Sequence, residues 1–417
     1  MEFDLGFGKG VQHVSVPDKN LLGVLTPNDV KKDLIGEEEV RRALKAPIGS
    51  PMLRDIVKPG EKIAVVTSDI TRPVPTYKIM PAVLDELYAA GVRKEDITLV
   101  FALGSHRKHT DEERAHLAGE RAFSEIRCID GDVNDVVHLG TTSRGTPVDV
   151  VRAVAEADRR ICIGNIEYHY FAGYSGGAKA IMPGVSTRDA IQSNHSRMVE
   201  ETSCAGNLET NNVRQDIEEA VAKFCHVDFI VNVVLDEHKE IIRAVCGDVV
   251  KAHREGCRFL DTLYLKELPE RADIVIVSQG GAPKDLNLYQ TQKALDNSKH
   301  AVKKGGIIIL IGSCKEGLGE KTFKTWMEEA PTAHSMIERV QTHFQLGGHK
   351  AAAIAMVLEN ADIYLVSEMP DDLVRDCFLI PAKSAQDALD EAFSRLGGDA
   401  AVLVMPYGGS TLPRVKE

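Results

Sequence analysis

Residues 62–102 have the sequence KIAVVTSDITRPVPTYKIMPAVLDELYAAGVRKEDITLVFA, and this stretch decides the fold. It begins with an apolar, β-branched run at 62–67, continues through a segment of helical period at 77–90, and ends in a second such run at 96–102. A strand, a crossover helix and a second strand form the repeating unit of a parallel sheet. The stretch therefore predicts an α/β fold.

The same alternation of strands and helices continues along the chain. Further strands are predicted at 160–165, 229–235, 272–278, 306–312, 361–366 and 400–405, and further helices at 212–224, 249–265, 288–302 and 349–359. The chain has 417 residues, which is more than a single hydrophobic core usually serves. We therefore predict two α/β domains with largely parallel sheets, and we expect the active site in the cleft between them.

The domain boundary is predicted at the charged stretch KELPER, residues 266–271. The predicted helix before this stretch ends at its proline, and a new strand is predicted directly after the stretch. The sequence therefore predicts an N-terminal domain over residues 1–268 and a C-terminal domain over residues 269–417.

The composition excludes several classes of function. The formal net charge is -12, and so acidic a protein has no general means of attracting the phosphates of a nucleic acid. The first residues lack the basic start and the following apolar run that are typical of a signal peptide. No segment contains the roughly 18 uncharged apolar residues that a membrane helix needs. We expect a cytoplasmic protein that binds an anionic substrate through locally placed cations.

The cysteines are scattered and form no C-x-x-C pair, a pattern that favours reduced, buried thiols over a zinc site or disulfides. They are Cys128, Cys162, Cys204, Cys225, Cys246, Cys257, Cys314 and Cys377.

Polar or glycine-rich segments follow directly on four of the predicted strands. In open α/β sheets, ligands bind beyond the carboxyl ends of the strands. The four segments are residues 68–73 (SDITRP), 104–107 (GSHR), 167–169 (EYH) and 279–283 (QGGAP). These strand ends are therefore the candidate ligand-binding segments.

The most informative stretch is GNIEYHYFAGYSGGAKAIMPG, residues 164–184. Glycines allow a backbone to approach a ligand closely, and turns of this kind suit phosphate oxygens. The stretch differs from a nucleoside-triphosphate loop in two ways. The G-x-x-x-x-G-K spacing is absent, and Ala180 follows the lysine where such a loop has Ser or Thr. Lys179, set among apolar residues, is either a covalent anchor with a lowered pKa or an ordinary surface lysine.

Three histidines are candidates for chemistry. His106 and His169 follow different strands, so they can face one substrate from two sides, as the acid and base of a racemase must; two unrelated histidines are the alternative. His195 lies on a predicted helix without a second ligand at metal-binding spacing, so most donors to any metal there must come from outside the protein. His109, three residues after His106, is interpreted as incidental.

Two further groups of residues can hold an anion. Arg72 offers a fork that matches a carboxylate, although a structural ion pair with Asp69 is the alternative. Gln290 and Lys293 are three residues apart on a predicted helix and so share one face.

Together these segments resemble the nickel-dependent lactate racemase family and its 2-hydroxyacid racemase and epimerase relatives. The matching pieces are SDITRP (68–73), ALGSHR (102–107), His169 with AGYSGGAKAIMPG (172–184), Asn194-His195 and DLNLYQTQK (285–293), and GGHK (347–350) extends the resemblance. Some relatives place a tryptophan near the substrate, but the single tryptophan here, Trp326, lies in an ordinary predicted helix and is not assigned that role.

The resemblance implies an isomerase that racemises or epimerises a small 2-hydroxy acid by reversible hydride transfer to a nickel-pincer nucleotide. This cofactor is a pyridinium mononucleotide whose ring carbon and two sulfurs hold nickel. It implies a covalent link at Lys179 and a nickel ligand at His195, together with partner proteins that build and load the cofactor. The C-terminal domain is expected to close over the substrate.

The resemblance also implies roles for the remaining site residues. His106 and His169 are the alternating acid and base. Arg72, Gln290 and Lys293 bind the substrate. The remaining residues, which contact the cofactor nucleotide, are Asp69, Thr71, Ser175, Gly176, Gly177 and Tyr289.

Two other functions are weighed against this one. A nicotinamide-dependent 2-hydroxyacid dehydrogenase shares the hydride chemistry, but no G-x-G-x-x-G motif follows an early strand. A non-catalytic carrier of the cofactor is the second alternative. Lactate, malate and longer sugar acids all fit the sequence as substrates.

Overall fold

The structure is a computed structural model that describes residues 1–30, 32–104 and 106–416. The strands are β1 (Glu2–Phe7), β2 (Gly10–Ser15), β3 (Leu21–Val24), β4 (Ile63–Ser68), β5 (Ile97–Ala102), β6 (Arg127–Asp130), β7 (Val136–Thr141), β8 (Pro147–Val151), β9 (Arg159–Asn165), β10 (Tyr168–His169), β11 (Gly173–Tyr174), β12 (Phe229–Leu235), β13 (Ile241–Gly247), β14 (Leu265–Leu268), β15 (Ala272–Ser278), β16 (Val302–Ile311), β17 (Ala361–Val366), β18 (Ile380–Ala382), β19 (Val402–Met405) and β20 (Leu412–Val415).

Helices alternate with these strands, as the sequence pattern predicts. They are α1 (Gly36–Lys45), α2 (Leu53–Ile56), α3 (Thr76–Ala89), α4 (Asp111–Ala118), α5 (Glu120–Glu125), α6 (Arg152–Ala155), α7 (Arg188–His195), α8 (Asn212–Lys223), α9 (Lys251–Tyr264), α10 (Leu288–Ser298), α11 (Lys321–Glu329), α12 (Ala333–Thr342), α13 (Gly348–Leu358), α14 (Asp371–Asp376) and α15 (Ala385–Leu396). In the part of the chain that the structure describes, no helix is both long enough and apolar enough to cross a membrane.

The chain divides into two compact units, one formed by Val30–Asp261 and the other by Met1–Asp29 together with Thr262–Glu417. The sequence analysis placed residues 1–29 in the N-terminal domain, whereas their contacts belong to the C-terminal unit. The reason is strand pairing, because β3 is hydrogen-bonded in parallel to β19 at the edge of the C-terminal sheet. Asp285 reinforces this attachment, since its buried Oδ2 accepts the N–H of Gly8 at 2.7 Å.

The Val30–Asp261 unit is built on a sheet of order β13-β12-β9-β4-β5-β6. β13 pairs antiparallel with β12, and the other pairings are parallel. Strand residues such as Val65, Leu99 and Ile161 are fully buried against the helices, as expected for a sheet covered on its faces. Because β4 lies between β5 and β9, the segments that follow these three strands meet at one edge of the sheet.

The second unit is built on an all-parallel sheet of order β18-β17-β16-β15-β19-β3. Its core includes Ile276, Ile309 and Val404, all fully buried. The two parallel sheets confirm the predicted fold class. All eight cysteines are free thiols, as expected.

Candidate active site

The segment after β4 carries Asp69 and Thr71, and both contact His106 from the segment after β5. Asp69 Oδ2 lies 2.7 Å from His106 Nδ1, and the Thr71 hydroxyl donates to Asp69 Oδ1 at 2.9 Å. Burial favours a higher pKa for Asp69, but the hydrogen bond and charge of His106 outweigh it and hold the pKa below its usual range. The Asp69 carboxylate therefore orients the His106 ring. Ser105, the neighbour of His106 in the 102–107 motif, lies outside the described residues.

His109 was interpreted as incidental, and the structure gives it a supporting position. Its ring is buried, Nδ1 lies 2.6 Å from Asp130 Oδ1, and Nε2 accepts the backbone N–H of Ile70 at 3.1 Å. Ile70 lies between Asp69 and Thr71, so His109 fixes the loop that orients His106. Asp130 ends β6, the strand beside β5, so this contact depends on the pairing of the two strands.

The ring of Phe171 brings three predicted site residues together. Its centroid lies 4.5 Å from that of His169 and 4.9 Å from that of His195, and Lys179 Nζ lies 5.8 Å from it. His169 and Lys179, on either side of the glycine-rich turn, therefore lie close to the helix that ends at His195. This juxtaposition required the tertiary fold, since Phe171 itself was not singled out in the sequence.

Lys179 lies in a short 3-10 turn, Gly177–Ala180. In the described part of the chain, no acceptor lies within hydrogen-bond or ion-pair distance of its Nζ. Burial is the main cause that lowers its pKa well below the usual lysine value, and the charges of Arg214 and Arg72 lower it further. A lysine with a lowered pKa has a larger uncharged fraction near neutral pH than an ordinary lysine, and the uncharged amine is the nucleophilic form.

His169 is held by aromatic packing. Its ring stacks on Tyr170 with an interplanar angle of 8°, and Nδ1 accepts the N–H of Ala172 at 3.3 Å. Burial lowers its pKa well below the usual histidine value, and the charges of Lys179 and Arg72 act in the same direction. These surroundings favour the neutral imidazole form of His169. The side chain of Arg72 is exposed, and its charge acts on both His169 and Lys179.

A buried hydrogen-bond chain fixes the tautomer of His195. The Asp216 carboxylate only accepts, so Asn194 directs its Nδ2 at Asp216 Oδ2, 2.8 Å away. The Asn194 Oδ1 then faces His195 Nδ1 at 2.9 Å and accepts its proton. The lone pair of His195 is consequently on Nε2, the form in which imidazole binds a metal.

Within residues 1–30, 32–104 and 106–416, no group of three or more His, Cys, Asp and Glu side chains is arranged to hold a metal ion. A nickel ligand at His195 stays a prediction, in which the metal brings most of its donors with it.

The Ser175-Gly176-Gly177 turn is shaped by internal hydrogen bonds. The Ser175 hydroxyl donates to Asn165 O at 2.7 Å, and the Gly177 N–H donates to Asn232 Oδ1 at 2.7 Å. Gly176 has φ +76°, and a Cβ there would lie 2.7 Å from the same Asn232 oxygen, so the turn requires glycine. These polar groups therefore define the path of the turn, which sequence reasoning had assigned to nucleotide binding.

The remaining predicted residues lie on α10, in the second unit. The side chains of Gln290 and Lys293 are exposed. Tyr289 is held in place, because Lys350 Nζ donates to its carbonyl at 2.7 Å and lies 4.1 Å from its ring centroid. Lys350 belongs to the GGHK segment, so that segment supports the first turn of α10. Trp326 is fully buried in α11.

Comparison with known proteins identifies the family. The family model described as the lactate racemase N-terminal domain matches residues 7–206, and the lactate racemase C-terminal domain matches residues 268–412. A lactate racemase from Thermoanaerobacterium thermosaccharolyticum is 32% identical over 99% of both chains. The chain belongs to the lactate racemase family.

Further relatives of this lactate racemase family member agree. A lactate racemase from Lactiplantibacillus plantarum is 31% identical, covering 97% of this chain and 98% of its own. The apoprotein structure of the Thermoanaerobacterium thermosaccharolyticum enzyme superimposes with a TM-score of 0.88 at 31% identity over the whole of both chains. A Thermotoga maritima protein shares the fold with a TM-score of 0.63 at 20% identity, covering 93% of this chain and all of its own. The chain is an isomerase, as predicted.

The partly desolvated amine of Lys179 is expected to lower the stability of this lactate racemase family member. An unfolded lysine keeps its proton up to about pH 10.4, whereas folded Lys179 releases its proton at a lower pH. Between these two pH values folding releases a proton, so the free energy of unfolding rises with pH. We expect Lys179→Met to raise the free energy of unfolding of the cofactor-free protein by about 1 to 3 kcal/mol near pH 7, because an uncompensated amine is removed. Denaturant unfolding at a series of pH values measures both effects.

The gain from Lys179→Met is expected to shrink as the pH approaches about 10, where the unfolded lysine also loses its charge. Lys223→Met is the matched control, since Lys223 is exposed and paired with Glu219 at 2.8 Å. An identical pH dependence in Lys179→Met and wild type would show that the amine is not perturbed.

Proposed function

We propose that the protein racemises lactate or a closely related short 2-hydroxycarboxylate, using a nickel-pincer nucleotide attached to Lys179. The observation that carries the proposal is the arrangement around Phe171, where His169, His195 and the unpaired amine of Lys179 converge. The proposal is further supported by the Asp69–His106 pair at the neighbouring strand end. Both curated relatives are lactate racemases, which favours lactate among the possible substrates.

The donor set fits this cofactor. A nickel ion that arrives with three donors of its own needs one imidazole, and His195 is such an imidazole with its lone pair on Nε2. A nucleotide attached through an acyl or thioacyl group needs an uncharged amine, and Lys179 is placed in an environment that favours one. When bound, the cofactor supplies an acceptor for the hydrogen of carbon 2 as hydride, which avoids a carbanion beside a carboxylate.

The side chains of this chain then manage the substrate's charge and its hydroxyl proton. Arg72 binds the carboxylate through its fork. One of His106 and His169 would take the hydroxyl proton as carbon 2 loses its hydrogen as hydride and the 2-keto acid forms. The other would give a proton to the keto oxygen as hydride returns to the opposite face of carbon 2, so the centre would be inverted. Asp69 stabilises the imidazolium of His106 while that histidine holds the proton.

The other predicted contacts are part of the same proposal. Gln290 and Lys293 bind the substrate, and Tyr289 contacts the cofactor. Asp69, Thr71 and the Ser175-Gly176-Gly177 turn border the nucleotide, the turn by its shape rather than through the Ser175 hydroxyl, which is already bonded to Asn165 O. The loading partners are the proteins that synthesise the cofactor.

The test is to express the chain together with the cofactor-building proteins and to analyse the product. We expect a mass increment on the peptide that contains Lys179, nickel near one per chain, and inversion of L- and D-lactate by polarimetry without added nicotinamide. Lys179→Met should show none of the three. Full activity in a protein without nickel or a modified Lys179 would refute the proposal, and activity that depends on nicotinamide would indicate a dehydrogenase.

A panel of 2-hydroxy acids, including malate and a longer sugar acid, defines the substrate in the same assay. A protein that carries nickel and the modification but inverts none of these acids would be a carrier.

A further inference from the structure

Arg214, on α8, is a buried arginine that sequence reasoning did not single out. Its side chain is 0% exposed, and its guanidinium donates to the carbonyl oxygens of Ala172 at 3.1 Å, of Gly176 at 3.5 Å and of Tyr174. All three acceptors lie between His169 and Lys179. One side chain therefore fixes the path of the chain that joins the two residues.

No carboxylate lies within 4 Å of the Arg214 guanidinium in the described part of the chain. Glu218, one turn further along α8, is paired instead with Arg254 at 2.8 Å. A buried cation without a counter-charge is unfavourable compared with a neutral side chain of similar size. The fold thus holds a charge beside the lysine-bearing turn at a cost in stability.

Other buried groups fix the same segment and show that it is preset without a ligand. Asn211, the N-cap of α8, donates to Phe171 O at 2.9 Å. His253 Nε2 lies 2.8 Å from Ser175 O. Among these groups, Arg214 is the one that contacts three carbonyls and carries a full positive charge, so it has the largest influence on the segment.

We infer that Arg214 is a positioning residue, whose guanidinium fixes residues 172–176 so that the amine of Lys179 is presented in place for attachment of the cofactor. The inference deepens the proposed function and rests on it for the identity of the attached group. Arg214 touches neither substrate nor cofactor in this proposal. It acts through the backbone of the turn and through its charge.

The charge of Arg214 supports the same role. After burial, it is the largest cause that lowers the pKa of Lys179. The other charged or titratable groups that face this amine are Arg72 and Glu167, with His169 and His253 close by. Removing Arg214 should therefore loosen the turn and also return the amine towards its protonated form.

The test compares Arg214→Lys and Arg214→Met with a matched control, Arg160→Met. The Arg160 guanidinium also bonds to backbone carbonyls, at 2.8 Å to Val154 O, but it lies at the opposite end of β9 from Asn165. The control thus removes an arginine that supports the fold away from the turn. Melting temperatures are measured for every variant.

The first measurement is acetylation of Lys179 by acetic anhydride in cofactor-free protein, followed by peptide mass spectrometry between about pH 6 and pH 10 and normalised to exposed Lys223. For Arg214→Met we expect the pH profile to move to higher pH, which lowers the rate near pH 7 several-fold. Arg214→Lys keeps the charge but lacks the fork, so its profile should keep the wild-type midpoint with a slower rate. Arg160→Met should match wild type.

The second measurement is the fraction of Lys179 that carries the cofactor after co-expression. Both Arg214 variants should fall at least about tenfold, while Arg160→Met stays near wild type. If Arg214→Met does not fold, Arg214→Lys decides the question by itself. Arg214 variants that match Arg160→Met in both measurements would overturn the inference. A wild-type Lys179 that never carries a cofactor would refute the proposed function instead, and the acetylation profile would still decide the role of Arg214.

Discussion

Replacing both His106 and His169 by alanine is expected to lower kcat for racemisation by at least about 10³-fold while nickel content and the modification of Lys179 stay near wild type. Each positioned acid or base contributes roughly 10²- to 10⁴-fold to proton transfer, and the double variant has neither. The measurement is polarimetry on cofactor-loaded protein, with nickel determined by elemental analysis.

The matched control for this experiment replaces two exposed histidines, His13 and His334, whose side chains are 76% and 60% exposed. The control should keep full activity. A double His106/His169 variant that retains more than about a tenth of the wild-type rate would contradict the assignment of acid and base.

Replacing His195 by alanine is expected to reduce nickel to background and to abolish activity, because the one protein donor to the metal is lost. Asn194→Ala should lower the nickel content less than His195→Ala does. It removes the Asn194 Oδ1, which lies 2.9 Å from His195 Nδ1 and fixes the tautomer of that ring. Loss of such an outer partner lowers metal affinity by about 10- to 100-fold. Nickel per chain and its rate of release to a chelator measure both variants.

The same His13/His334 variant serves as the control for nickel binding. His195→Ala that keeps one nickel per chain with an unchanged release rate would rule out His195 as the ligand. An Asn194→Ala variant equal to wild type would show that the chain from Asp216 through Asn194 has no influence on the metal.

Much of the fold was predictable because its strands are short, apolar and β-branched. The predicted strand at 229–235 coincides with β12, and those at 272–278 and 361–366 coincide with β15 and β17. Strand ends then gave the candidate site, because a parallel sheet places consecutive strand ends at one edge. This rule selected Asp69, His106 and His169 as candidate residues, and their roles stay predictions.

Other features depend on contacts between residues far apart in sequence. The pairing of β3 with β19 joins segments about 380 residues apart, and no local pattern encodes it. Arg214 was missed because an arginine on an amphipathic helix is usually solvated, and its buried position depends on the path of residues 172–176. His109 was missed because its partner, Asp130, ends β6, a strand that the sequence pattern did not predict.

The pairing of β3 with β19 also sets an order of events during synthesis on the ribosome. Residues 21–24 emerge among the first of the chain, yet their partner strand is complete only when residue 405 has been added. The Val30–Asp261 unit contains all of its own sheet strands and is able to fold while the rest is still being translated. β3 therefore has no partner strand until residues 402–405 have been synthesised, after the whole Val30–Asp261 unit.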